Sequence, residues 1–115
     1  MMGLVTINPA KKAEIDQADA LREADAWFQT KLDAGYTADG GYVLGLSDTD
    51  VTLLTGNFVL AKEAAALGAP IPPVIDKNGG VHAVSSIEDL TTLMLSYGQY
   101  RATLSSEYAQ RRAAT

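Results

Sequence analysis

The stretch that decides the fold is Tyr36-Thr37-Ala38-Asp39-Gly40-Gly41-Tyr42-Val43-Leu44, followed by Ser47-Asp48-Thr49-Asp50. Its pattern returns in Pro73-Val74-Ile75-Asp76-Lys77-Asn78-Gly79-Gly80-Val81-His82-Ala83-Val84, followed by Ser85-Ser86-Ile87-Glu88. Asp-Gly and Asn-Gly favour tight hairpin turns, because these residues tolerate positive φ. Each turn is followed by a serine placed three residues before an acid, the signature of a helix amino-terminus. The two units therefore read as hairpin, helix, hairpin, helix.

Upstream of them, Asn8 suits a helix cap and Pro9 its first position, where the missing amide hydrogen leaves nothing unpaired. No Gly or Pro interrupts the chain from Pro9 to Ala34, and Gly35 is placed to close the helix. Such a helix has about 26 residues and a length of about 39 Å. Ile15, Ala18, Leu21, Ala24, Phe28 and Leu32 recur along it at helical spacing, a thin stripe among charged neighbours.

The second helix is expected from about Asp48 to Leu67, ended by Gly68 and Pro70. Its apolar residues, among them Val51, Leu53, Leu54, Phe58, Val59 and Leu60, are too many for one stripe, so burial on two sides is expected. The third runs from about Ser86 to near the end, with Ile87, Leu90, Leu93, Met94, Tyr97, Tyr100, Leu104 and Tyr108 on its buried face. Gly56 and Gly98 inside these helices are each expected to mark a close helix crossing, the functional alternative being a notch for a partner. The fold class is α+β: a long N-terminal helix, then two hairpin–helix units whose strands form a small antiparallel sheet packed on helices. Residues 1–26 read as a partner-binding leader and helix, and 27–115 as a compact domain.

Composition bounds the function. A chain of 115 residues is one domain or one with an appendage, and 47% apolar content suits a folded core. A net charge of −5 and a pI near 4.6 argue against a nucleic-acid groove. There are no cysteines, and His82 with carboxylates alone makes structural zinc improbable. No apolar run approaches the ~20 residues needed to span a bilayer. Met1-Met2-Gly3-Leu4-Val5-Thr6-Ile7 lacks the basic start, long apolar centre and cleavage site of a signal peptide.

No reaction centre emerges. His82, the only histidine, has no serine or carboxylate at the spacing of a known triad and reads as a surface or half-buried strand residue. Asp76, Asn78 and Gly80 resemble a calcium loop only faintly: the glycine is misplaced, and Ile87 stands where a bidentate acid belongs. Asp48, Asp50, Glu88 and Asp89 suit the positive ends of helix dipoles. Asp16, Asp19, Glu23 and Asp25 read as a solvated face. The glycines are not spaced as a nucleotide loop. Tyr36 and Tyr42 are expected to pack across the first hairpin. No catalytic residue, cofactor or metal is therefore assigned.

Lys31-Leu32-Asp33-Ala34-Gly35-Tyr36-Thr37-Ala38-Asp39-Gly40 resembles the helix end and first hairpin of a small domain of unknown function, widespread in bacteriophage and prophage genes and often near tail-fibre genes. Leu54-Thr55-Gly56-Asn57 with Ala66-Leu67-Gly68 is similar to its second element. Tyr97-Gly98-Gln99-Tyr100-Arg101-Ala102, running on to Arg111-Arg112-Ala113, is similar to its last. The likeness covers about residues 27 to 113, and Ile71-Pro72-Pro73-Val74 departs from the Trp- or Phe-containing stretch expected there. It implies a tail-associated or tail-fibre assembly role and carries over no catalytic residue.

The expectation is thus a non-enzymatic tail-associated protein of the virion, present in the host cytoplasm during assembly. It would bind a tail fibre or baseplate protein, as an assembly chaperone retained in the particle or as a homo-oligomer on a symmetric fibre, without nucleic acid or membrane. Leu4, Val5 and Ile7 in the leader, continued by Ile15 and Leu21 on the helix, are the expected partner contacts. The alternatives are a head or neck component, or a small cytoplasmic ligand-binding domain or enzyme.

Overall fold

The computed structural model describes residues 8–115, in the order α1 (Pro9–Ala34), β1 (Tyr36–Thr37), β2 (Val43–Leu44), α2 (Asp48–Ala66), β3 (Val74–Ile75), β4 (Val81–His82) and α3 (Ile87–Ala113). This is the expected α+β architecture.

Local chemistry sets the helix ends. Asn8 Oδ1 accepts from the Ala10 amide at 2.8 Å, with Pro9 opening the helix. Ser47 and Ser86 accept from the amides of Asp50 and Asp89, each at 3.1 Å, filling donors that the first turn cannot satisfy internally. Gly35 follows α1 at φ +78°, where a Cβ would meet Val43 Cγ1 at 2.5 Å and the Leu44 carbonyl oxygen at 2.7 Å. Only glycine lets the chain turn that tightly against β2.

Both hairpins are antiparallel, with Tyr36 opposite Leu44 and Val74 opposite His82. Positive φ falls on Gly41 and Gly79 and on no non-glycine residue, so Asp39 and Asn78 do not adopt it as expected. The Gly41 amide bonds the Ala38 carbonyl at 2.9 Å, and the Gly79 amide bonds that of Asp76 at 3.0 Å. These are three-residue loops closed by a glycine, longer than a two-residue Asp-Gly or Asn-Gly turn. The strands pair as two separate two-stranded sheets. The sheets are tied by the Lys77 amide donating to the Val43 carbonyl at 2.7 Å, while the Lys77 ammonium bonds the Asp33 carbonyl at the end of α1. A cation there complements the helix dipole.

The core joins Leu44, Leu46, Leu54, Ala61, Val74, Leu90, Tyr97 and Leu104. Leu90, Tyr97 and Leu104 recur every seven residues on α3, the central helix, which packs against both α1 and α2. The seam with α1 is antiparallel. Phe28 stacks on Tyr108 with centroids 4.3 Å apart, and Asp25 meets Arg112 at 2.8 Å.

This geometry corrects several expectations. The seam reaches back to Ala24, which is buried, so a boundary after residue 26 would cut through packed helix. Asp25 does not belong to a merely solvated face, since Tyr108 and Arg112 both donate to it. Helix α2 is covered on one side only: Leu54 and Ala61 are buried, whereas Leu53 is 60% and Leu60 58% exposed. Gly56 and Gly98 mark no crossing, because a Cβ at either would meet nothing within 4 Å. Tyr36 and Tyr42 do not pair across the hairpin. Tyr36 lies against Tyr97 and Tyr100, and Tyr42 stacks on His82.

Candidate functional site

Three regions carry exposed or polarised chemistry. The first is the projecting half of α1. Every residue from Pro9 to Asp19 is exposed, and burial begins at Ala20 and Leu21. Of the expected contacts, Leu4, Val5 and Ile7 lie outside the described residues. Leu21 is half-buried where the α1–α3 seam begins. Ile15 is 44% exposed. At about 100° per residue, the nine residues from Ile15 to Ala24 amount to about half a turn beyond two full ones, so Ile15 faces away from the seam. The two residues therefore do not form one surface.

The second region is a groove of about 420 Å³ between α2 and α3. Val51, Phe58, Met94 and Leu95 form its walls, and Gly98 and Ala102 keep it open. Arg101 closes one end, with Nε donating to the Leu46 carbonyl at 3.0 Å and an Nη contact to Asp48 at 3.3 Å. Lys62 stands over the Phe58 ring, its Nζ 5.6 Å from the centroid. The groove is thus apolar inside, and the one cation in its lining, Arg101, is already paired with Asp48. The glycine inside α3 was its only sequence signal; the role of Arg101 rests on partners more than fifty positions away.

The third region is the second hairpin. His82 Nε2 lies 2.7 Å from Asp76 Oδ2, a pairing the sequence reading missed. A carboxylate only accepts, so the imidazole carries its proton on Nε2. Asp76 also accepts from the Asn78 and Gly80 amides, each at 2.8 Å. The His82 hydrogen bond, reinforced by the Gly80 amide, holds the Asp76 carboxyl below its ordinary value. The His82 ring is covered by Tyr42 at 3.8 Å, and among the described residues no hydroxyl bonds it. The pair closes the turn of the second hairpin, and the Tyr42 stack joins that hairpin to the first.

A cleft beside α3 carries Asp39, Tyr42 and Asp89 with no cation in its lining. Among the described residues no group of three or more His, Cys, Asp or Glu could hold a metal, and no helix is long and apolar enough to cross a membrane.

Compared with protein families, curated proteins and solved structures, the chain matches no family model, no curated protein and no solved structure. The phage-domain resemblance therefore stands on the quoted residues alone.

Proposed function

We propose that the protein is a non-catalytic assembly protein that docks on another protein through its apolar leader. Leu4, Val5 and Ile7 are the contacts, and in the chain they lead directly into the projecting half of α1. The observation behind this reading is the fully exposed run from Pro9 to Asp19, continuous with a helix whose later half is packed. A helix of that length is marginal in water by itself. Anchored at one end, it is a stiff spacer suited to presenting a short segment to a partner groove or sheet edge.

The resemblance to phage domains makes the proposed partner a tail fibre or baseplate protein, with the chain an assembly chaperone retained in the virion tail. The exposed leucines of α2 and the apolar groove support an interaction protein over an enzyme. The Asp76–His82 pair closes its own turn under the Tyr42 ring, and among the described residues no hydroxyl bonds the imidazole as a nucleophile would. Mass identification of the proteins in purified phage particles tests the proposal. It expects the chain in the particle at a copy number matching the tail; a head-like copy number indicates a capsid or neck component, and absence from both particle and assembly intermediates refutes it.

A further inference from the structure

We infer that Asn78 is a site of spontaneous deamidation, and that the Asp76–His82 pair sets its rate by holding the second hairpin loop closed. The reaction needs a side-chain amide next to an unobstructed backbone amide. Asn8 precedes Pro9, which has no N–H to react, and Asn57 lies inside α2 before the bulky Phe58. Asn78 is exposed in a loop and precedes Gly79, which has no side chain to bar the approach. The Gly79 nitrogen attacks Cγ of Asn78 and gives its proton to solvent. The bond from Cγ to the side-chain nitrogen breaks, ammonia leaves, and a cyclic imide forms. Water then opens the imide at either carbonyl, giving aspartate or isoaspartate. Water enters, ammonia departs, and nothing is oxidised or reduced.

The folded loop withholds the nucleophile. The Gly79 amide donates to the Asp76 carbonyl at 3.0 Å. Asp76 then fastens the loop around it. Its carboxylate accepts from the Asn78 and Gly80 amides, each at 2.8 Å, and its own amide donates to the Gly80 carbonyl at 2.8 Å. His82 Nε2 holds the other carboxylate oxygen at 2.7 Å, with its ring under Tyr42. This turn must open before the Gly79 nitrogen can reach Cγ, and a short exposed hairpin opens locally at less cost than global unfolding. Removing the His82 donor lowers that cost. Both products put a second carboxylate into the loop that Asp76 closes. Isoaspartate also adds a backbone carbon next to Lys77, whose amide ties the loop to Val43.

Peptide mass spectrometry on the full chain, held at mildly alkaline pH and sampled over weeks, tests this. The Asn78 peptide is expected to gain the mass of an amide-to-acid exchange, slowly in the folded chain and more than about tenfold faster in unfolding urea. His82→Ala and His82→Phe both remove the donor, and the second keeps a ring under Tyr42. Each variant that circular dichroism shows folded is expected to react several-fold faster than the unsubstituted chain. His82→Gln keeps a donor for Asp76 and is expected to stay near the original rate. The inference is overturned by an Asn78 that survives intact in urea, or by a folded chain that reacts as fast as the unfolded one. It is equally overturned if a folded Ala or Phe variant reacts no faster than the original, or if the Gln variant reacts as fast as they do.

Discussion

Tyr97 donates its phenolic hydroxyl to the Gly45 carbonyl at 2.6 Å from within the core, where the side chain is 1% exposed. The bond ties the middle of α3 to the chain just after β2. Burial, with the nearby Asp50 carboxylate, pushes the Tyr97 phenol up to about 12. Tyr97→Phe leaves the Gly45 carbonyl without this partner and is expected to cost about 1–3 kcal/mol in a chemical denaturation curve. The pH dependence has a definite sign. The folded state keeps the phenol proton after the unfolded chain has lost it, so this contribution is complete below about pH 10 and declines from there toward pH 12. The wild-type chain should lose stability more steeply across that window than Tyr97→Phe.

Asp76 gives the opposite sign. Its carboxyl is held below the ordinary value of 3.8, first by the His82 hydrogen bond and then by the Gly80 amide. Its contribution is present above that value and is lost as pH falls through the depressed one. Asp76→Asn should lower the thermal midpoint at neutral pH and flatten the decline of stability below about pH 4. An unchanged acid limb would show that the hairpin does not depend on this carboxylate.

Glycines inside the helices and at the turn should respond in opposite directions. Gly56 has open space around it, so Gly56→Ala should stabilise the chain by about 0.5–1 kcal/mol through helix propensity. A Cβ at Gly45 would collide with the Asp50 carboxylate, which accepts from the Ser47 hydroxyl at 2.7 Å. Gly45→Ala should destabilise by about 0.5–1.5 kcal/mol, because the Asp50 carboxylate must turn away and give up its bond from the Ser47 hydroxyl. Denaturation midpoints of the two variants should move apart.

What the sequence made legible follows from how local each signal is. Asn8 and Pro9 at one end and Gly35 at the other mark the observed bounds of α1, because caps act within a turn. Gly41 and Gly79 sit in loops that the glycine pairs identify, although register and loop length choose which residue takes positive φ. The hydroxyl of Tyr97 and the guanidinium of Arg101 find carbonyls 52 and 55 residues away, and no local pattern records such a bond. The Asp76–His82 pair has a local signal, since residues flanking a short hairpin loop come close, but it matches no triad spacing. In α2, Val51, Leu54, Phe58 and Ala61 form one apolar stripe and Leu53 and Leu60 another. Sequence does not distinguish the covered stripe from the open one, because both have the same period.

The most direct measurement is copurification of a coexpressed tail-fibre protein with the full chain and with a chain lacking residues 1–7, read beside the thermal transition of each. The truncated chain is expected to lose the fibre while its transition stays nearly unchanged, since the described core begins well after the deletion. A truncated chain that retains the fibre as tightly as the full one would contradict the docking role of Leu4, Val5 and Ile7.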